Sequence, residues 1–434
     1  MTRLLKPFEI LKKQLRILIP LLVAVPVIMY YYWIIQYSVN CPQLDDFAVL
    51  LMSDKLLHSN SISEFSDYLF SFHNEHRIVI TRLSFVGLAL LNKGVINLKW
   101  AIIVGNLTLM GLLSLYYKSF QKLNISTWYL LPIPFLLFQM QFFENSFFAM
   151  ASIQNLGVWL WAGLSFWLLS KEENGNIPVK YFVAGCCTAC IAMLTSGNGL
   201  FVFPSSIVLL LLVRAKKQLF VWLIISALAC WLYMKGLSNQ QHLDLSKVIE
   251  GTLGYLGAFA GASTFRLLPA LLGGVISLVV LIINSNLIPF INSSIKPQSK
   301  RVQLFLGSTF VFMILTALAI SIHRDLASVI STPRYKIGSA ITLVTVYLMV
   351  LNTQIPSTLR MTSGLLGIIF SIAFCMFTYI KMTPIVKEDK QVLLATEQAF
   401  YQKTKGVNVP EIAFEKEWFS ILKAGVWQFS TEKK

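Results

Sequence analysis

The residues best suited to chemistry lie between Cys41 and Arg77, immediately after the first long apolar run of the sequence. Ionisable groups beside a membrane span are costly unless they line a wet cavity or take part in a reaction. The adjacent pair Asp45 and Asp46 is the candidate catalytic unit, because a carboxylate can take a proton from a hydroxyl group as a general base. The alternatives are a solvated polar loop and a helix N-cap, a position that favours Asp. The stretch holds six acids and three of the five histidines: Asp45, Asp46, Asp54, Glu64, Asp67, Glu75, His58, His73 and His76.

The composition indicates which elements must hold these residues. Hydrophobic residues make up 56% of the 434-residue chain, charged residues 13%, and the mean hydropathy is +0.67. A soluble protein carries about 25% charged residues, so we expect an integral membrane protein with many spans. The net charge of +16 comes from basic residues scattered between apolar runs. That distribution is typical of membrane topology signals and argues against nucleic acid as a partner, which needs a clustered basic patch.

Apolar runs predict an all-α polytopic membrane protein with about eleven transmembrane helices, embedded in the lipid bilayer. The first span, 17–38, ends in the aromatic residues 30–33, as expected at a membrane interface. A run at 78–91 is too short, because a span needs about 20 residues. We expect it to lie in or dip into the outer leaflet. The later spans are predicted at 97–117, 127–142, 156–170, 180–195, 200–214, 218–236, 266–285, 302–321, 337–352 and 362–381.

Basic residues set the predicted orientation. Arg3, Lys6 and other cations precede the first span, which favours a cytoplasmic N-terminus. Two of the short loops assigned to the outer side, 143–155 and 196–199, hold no Lys or Arg. We therefore expect a multi-pass protein of the cytoplasmic membrane with its active site on the outer face.

Two regions follow from this topology. Residues 1–381 are predicted to form the transmembrane catalytic domain, and its first outer loop, 39–96, is large and helical. Within that loop, residues 46–57 and 62–72 have amphipathic helical patterns. Residues 382–434 are polar enough to form a small soluble tail on the outer face.

The topology brings polar residues from distant loops to one face of the membrane. Carboxylates beside cations and aromatic walls suit a transfer reaction at a membrane surface. Arginines can bind a phosphate leaving group bidentately and offset the charge that develops as it departs. The residues collected on this face are Asp45, Asp46, His73, Glu75, His76, Arg77, Glu144, Asn145, Asn198, His323, Arg324, Asp325, Arg334 and Tyr335.

Four motifs in this order resemble the GT-C superfamily of membrane glycosyltransferases, which includes protein O-mannosyltransferases and the lipid A aminoarabinose transferase. An anchor span is followed by the acidic pair of Asp45-Asp46-Phe47, and the first outer loop then contains His76-Arg77. Gln141-Phe-Phe-Glu144-Asn145 is similar to a Gln-Trp-Glu-Asn element of bacterial members. Pro333-Arg334-Tyr335 is similar to their Ser-Arg-Tyr element before a late span.

This resemblance implies a polyprenyl-phosphate-linked sugar donor, an acceptor in the cell envelope on the outer (periplasmic) face, and inversion at the anomeric carbon. It assigns the acidic pair to the catalytic base or its orienting partner. The pair here is Asp-Asp where Asp-Glu would be easier to align, so which carboxylate is the base stays open. We expect Arg77, Arg334 and Tyr335 to bind the donor phosphate. The expected substrate pocket consists of His73, Glu75, His76, Glu144, Asn145 and Asn198.

A divalent cation is a further possibility. Asp46, His73 and His76 are the candidate ligands, with Mg²⁺ or Mn²⁺ suited to the carboxylate. Pairing of Glu75 with Arg77, and of Asp325 with Arg334, is the structural alternative to phosphate binding. A transporter or flippase of lipid-linked sugars, or an O-antigen polymerase or ligase, is the competing class. The predicted spans carry almost no Asp or Glu, whereas transporters bury such groups near the midplane.

Overall fold

A computed structural model describes residues 2–173, 175–235, 245–285 and 297–430, with side chains from residue 18 onward. The described chain is helical, and its β-structure consists of isolated bridges such as that between His73 and His76. The first helices are α1 (Thr2–Tyr37), α2 (Asp46–Leu57), α3 (Ile62–Phe70), α4 (Val79–Leu91), α5 (Leu98–Gln121), α6 (Pro132–Leu137), α7 (Phe143–Phe147), α8 (Ala149–Ala151), α9 (Gly157–Leu169) and α10 (Val179–Thr195). They are followed by α11 (Val202–Val213), α12 (Lys216–Met234), α13 (Leu245–Leu256), α14 (Leu268–Asn284), α15 (Lys300–His323), α16 (Leu326–Ser331), α17 (Lys336–Asn352), α18 (Ser357–Thr404) and α19 (Glu415–Ala424).

The protein is an all-α membrane protein. Among the described residues, six helical segments are long and apolar enough to cross a bilayer: Leu18–Tyr37, Leu98–Gln121, Lys216–Met234, Lys300–His323, Pro333–Asn352 and Ser357–Thr404. Five further apolar helices are shorter: Val79–Leu91, Thr127–Leu137, Val179–Thr195, Gly197–Val213 and Leu268–Asn284. The number of eleven spans therefore stays a prediction.

The predicted span 127–142 is not one helix. A 3₁₀ turn over Thr127–Leu130 leads into α6, which ends at Leu137. Pro132 and Pro134 lack backbone N–H donors, and proline is tolerated in the first turn of a helix but not in its interior. The two prolines therefore begin a new helix, α6, and do not continue the preceding turn. The chain then leaves the helical conformation before α7 begins at Phe143. After this break, Asn145 donates a hydrogen bond to the carbonyl of Arg334 in the turn before α17.

The last long helix, α18, is continuous through the predicted boundary at residue 381. It has 48 residues and, at 1.5 Å per residue, is about 70 Å long. The hydrocarbon core of a bilayer is only about 30 Å thick. The second half of α18 therefore extends beyond any single crossing of the membrane.

The C-terminal segment packs onto the start of the first loop. The backbone N–H of Ile96 donates to Val426 O at 2.7 Å, and Nε1 of Trp427 donates to Asn40 O at 2.8 Å. Asn40 in turn accepts from the Leu98 N–H at 2.8 Å through its side chain. Beneath these bonds, Phe47 stacks on Phe414 and meets Trp418 edge-on. Residues 405–430 are therefore a packed part of the platform that carries Asp45.

Candidate functional site

Asp45 is the accessible carboxylate of the acidic pair. It occupies the N-cap of α2, but its side chain makes no capping hydrogen bond. Its Oδ1 lies 3.5 Å from Nε2 of His73, and the side chain is 40% exposed. Interaction with His73 is the main cause that lowers the pKa of Asp45, and the charge of Arg334 acts in the same direction. Asp45 is thus ionised at neutral pH and open to a substrate, as a general base must be.

Asp46 has a structural role. It had been predicted as a catalytic and metal-binding candidate, and the structure supports neither role. Its side chain is buried, and its oxygens accept hydrogen bonds from the backbone N–H groups of Met150 (2.9 Å) and Gln43 (3.2 Å). Burial raises the pKa of Asp46 to about 8, although the two hydrogen bonds oppose that shift. A buried and largely protonated carboxyl cannot serve as the base at neutral pH. It ties the start of α2 to the start of α8.

We predict that Asp46 makes stability fall as pH rises through the interval from about 4 to about 8. The folded state holds the proton across this window because the pKa is raised from 3.8 to about 8, whereas the unfolded state has lost it. Stability then decreases by up to about 1.4 kcal/mol per pH unit. Asp46→Asn, which is neutral at every pH, should flatten this dependence. Melting temperatures in detergent at several pH values measure it, and identical slopes for the two proteins would contradict it.

The turn that carries His73 and His76 is built by its own backbone and by Arg82. His73 and His76 exchange backbone hydrogen bonds at 2.7 and 2.9 Å, and Asn74 adopts a positive φ of 50°. Arg82 is buried and donates from one nitrogen to the carbonyls of Tyr68, Leu69 and Ser71, at the end of α3. These bonds fix the approach of the chain to His73.

His76 packs on the loop after α10. Its ring lies so close to Gly197 that a Cβ there would clash with Nδ1. Burial lowers the pKa of His76, so the imidazole is neutral at physiological pH. Asn198 follows in the same 3₁₀ turn, Gly197–Phe201. Glu75 is exposed beside this ring.

Arg77 does not reach the acidic pair, contrary to its predicted role as a phosphate ligand. Its guanidinium donates to the carbonyls of Tyr233 (3.1 Å), Lys235 (2.7 Å) and Phe70. Its Cζ also lies 4.1 Å from the centre of the Phe72 ring. These contacts use one N–H of each guanidinium nitrogen and direct the group to the ends of α3 and α12. Arg77 therefore holds the first loop against the end of α12.

The second half of the site comes from α7 and the turn before α17. Nε of Arg334 lies 3.2 Å from Oε2 of Glu144. The Asn145 side chain donates to the Arg334 carbonyl at 2.8 Å, and Asn155 donates to Asn145 Oδ1 at 2.9 Å. Asp325, the other predicted partner of Arg334, instead caps α16 by accepting from the Ser328 N–H. The structure thus brings Arg334, a predicted phosphate ligand, together with Glu144 and Asn145 of the predicted substrate pocket.

Asn155 is a site residue that the sequence reasoning did not single out. It lies in the π-helical turn Ser152–Leu156, which widens the helix between α8 and α9. Such turns occur often at functional sites because the extra residue redirects side chains. The bond from Asn155 to Asn145 fixes the side chain that in turn supports the Arg334 backbone.

A cavity of about 360 Å³ lies between these elements and the extension of α18. Its charged wall consists of Glu144, Arg334, Asp389 and Lys390, and its lining includes Gln43 and Leu44, which directly precede Asp45. The remaining wall is largely apolar, with Phe143, Phe147, Phe148, Ile385, Val386, Val392 and Leu393. Asp389 and the other residues of α18 after residue 381 had been assigned to a separate tail. Tyr335 and Asn198 are not part of this lining.

Within the described ranges, no group of three or more His, Cys, Asp and Glu side chains is arranged to hold a metal ion. The oxygens of Asp46 are bonded to the backbone, and Nε2 of His73 faces Asp45. The residues proposed as ligands, Asp46, His73 and His76, therefore do not fit a Mg²⁺ or Mn²⁺ site.

Comparison with protein-family models, with curated proteins and with solved structures found no match to this chain. The function must therefore be inferred from the geometry of the site.

Proposed function

We propose that the protein is a membrane glycosyltransferase of the GT-C type that transfers a sugar from a polyprenyl-phosphate donor to an acceptor in the cell envelope. The observation that carries the proposal is an ionised, accessible Asp45 whose pKa is lowered by His73 and by the charge of Arg334. The Arg334–Glu144 ion pair lines a cavity with an apolar wall, and that cavity begins at the residues just before Asp45. The site is proposed to face the periplasm from the cytoplasmic membrane.

In the proposed reaction, Asp45 takes the proton from an acceptor hydroxyl as its oxygen attacks the anomeric carbon of the donor. The bond from that carbon to the phosphate oxygen breaks, and polyprenyl phosphate leaves with the electron pair. Attack from the face opposite the leaving group inverts the anomeric centre. His73 holds the carboxylate in position, since it is 3.5 Å from Asp45. Arg334 supplies positive charge, which favours departure of the anion.

The shape of the cavity supports a substrate with a polar and an apolar part. Glu144, Asp389 and Gln43 offer oxygen and amide groups to sugar hydroxyls, whereas Phe147, Val392 and their neighbours provide an apolar surface. An amphiphile can reach this cavity along α18, because that helix has an apolar stretch that is only 28% buried within the protein.

The proposal is tested by sugar transfer in detergent, where the protein has no compartments between which to transport. Purified protein is mixed with short-chain polyprenyl phosphates carrying radiolabelled hexoses and with a delipidated envelope extract. Label should move into the extract, and lipid phosphate should be released, at a rate that Asp45→Asn abolishes. Absence of both products with every donor, together with vectorial movement of the same donors in liposomes, would favour the transporter class.

Arg334 is predicted to depend on its planar fork as well as on its charge. Lysine keeps the charge but loses the bidentate geometry. We expect Arg334→Lys to lower the transfer rate about tenfold, and Arg334→Ala by about 10²–10³-fold, with a smaller change in donor affinity. Arg324→Lys, on an exposed arginine after α15, is the matched control. Unchanged turnover of Arg334→Ala at saturating donor would leave Arg334 as an interfacial anchor only.

A further inference from the structure

Lys336 is a buried cation for which the described part of the chain supplies no partner. Its residue is only 8% exposed, and it begins α17 directly after the Arg334 turn. The described residues include no hydrogen bond or ion pair of its ammonium group. Glu144, in the wall of the neighbouring cavity, is already paired with Arg334. A buried charge without a partner is expensive, so a lysine in this position points to a ligand.

A second cavity, of about 190 Å³, is lined by this lysine and by Lys381 of α18. The two ammonium groups are close enough to repel each other. Lys381 has no carboxylate partner among the described residues, and its Nζ lies 5.8 Å from the centre of the Phe377 ring. Two adjacent cations in a partly apolar cavity are a site for a compact anion, which would remove the repulsion and the desolvation cost together.

The surroundings of this cavity indicate an anion attached to an apolar chain. Phe377 and Ile385 line it and are among the exposed large apolar side chains of α18. Ile380, on the same helix, is also exposed. An alkyl or prenyl chain extending from the two lysines would therefore lie along an apolar helix surface.

The two cavities adjoin. Phe143 and Ile385 line both, so the lysine cavity lies beside the cavity that holds Glu144 and Arg334. A phosphate bound at the two lysines would place the group attached to it in the cavity lined by Glu144 and Arg334. Arg334, which is engaged with Glu144, need not provide the ground-state affinity for that phosphate.

We propose that Lys336 and Lys381 form the binding site for the phosphate group of an anionic amphiphile. The identity of this amphiphile as the lipid-linked sugar donor rests on the proposed function. The binding site itself does not, because the unpaired lysines and the cavity are independent of any reaction at Asp45.

The test measures binding without turnover. Dodecyl phosphate, dodecyl maltoside and inorganic phosphate are titrated against the purified protein, and the shift in melting temperature is followed. Dodecyl phosphate is expected to stabilise the wild-type protein, with affinity lowered about tenfold or more by Lys336→Gln or Lys381→Gln. Lys387→Gln is the matched control, since Lys387 is exposed on α18 and lines neither cavity. Lys381 is exposed, so its variant remains informative if Lys336→Gln fails to fold.

Loss of dodecyl phosphate binding in both variants and not in Lys387→Gln would support the site. Equal affinity of all variants would overturn it, as would an absence of binding to the wild-type protein. Inorganic phosphate that binds as tightly as dodecyl phosphate would overturn the assignment to an amphiphile. Lysine-dependent binding of dodecyl phosphate in a protein that transfers no sugar would sustain this site while the proposed function fails.

Discussion

Asp45→Asn is expected to lower the rate of sugar transfer by about 10²–10⁴-fold, the usual cost of removing a positioned general base. The amide has the shape of the carboxylate but cannot accept a proton at neutral pH. The fold should persist because the Asp45 side chain makes no capping bond to α2 and is partly exposed. Initial rates at saturating donor, together with the melting temperature of each variant, provide the measurement.

Two other acids of the first loop, Asp67 and Asp46, supply the controls for this substitution. Asp67→Asn removes an exposed carboxylate of the same loop and should leave the rate unchanged. Asp46→Asn should also retain activity, because Asp46 is already neutral when its pKa is about 8. An Asp45→Asn protein with near wild-type turnover would move the active site elsewhere. Equal losses for Asp45→Asn and Asp46→Asn would show that the pair acts as a unit.

The helices of the first loop could be predicted from the sequence because local patterns determine them. The predicted segment 46–57 is α2, and 62–72 is α3 with an earlier end at Phe70. Ser61 caps α3 by accepting from the Glu64 N–H, a short-range signal that the sequence contains. Glu144, Asn145 and Arg334 come from loops that the topology had assigned to the same face, but the contacts between them were not predicted.

The roles of individual charged residues could not be predicted, because they depend on burial by distant segments. Asp45 and Asp46 are adjacent in sequence, yet the backbone of Met150 covers only the second. Arg77 and Arg334 were both predicted to bind a phosphate from the sequence. In the structure Arg77 instead donates to carbonyls at the end of α12. Lys336 was overlooked because one lysine before an apolar run usually marks a membrane interface.

The long α18 was divided in the prediction at Lys381, where the apolar run ends and charged residues begin. A change in hydropathy indicates where a helix leaves the membrane and not where the helix ends. The helix α18 continues to Thr404. Ile385, Val386, Val392 and Leu393, which line the larger cavity, were the available signal that one face stays apolar after the boundary. Their spacing is helical, and recognising it would have placed Asp389 at the site.

Trp427→Ala is expected to destabilise the protein by about 3–5 kcal/mol, the range for truncating a buried tryptophan or phenylalanine. Trp427 is completely buried, with Trp418 and Phe429 rings at 5.1 Å, and it donates to Asn40 O at 2.8 Å. Asn40 is five residues before Asp45 and also holds the Gln428 carbonyl at 3.1 Å. Losing the indole should therefore loosen the start of the first loop and reduce transfer as well.

Trp231→Ala is the matched control for this effect, since Trp231 is 63% exposed on α12 and fills no internal space. Melting in detergent should show a large decrease for Trp427→Ala and little change for Trp231→Ala, and trypsin should cleave the C-terminal segment faster only in the first variant. Activity measured well below the melting point separates positioning from unfolding: a folded Trp427→Ala protein with a reduced rate indicates that the segment positions Asp45. Equal melting temperatures and rates for the two variants would mean that residues 405–430 are an independent tail after all.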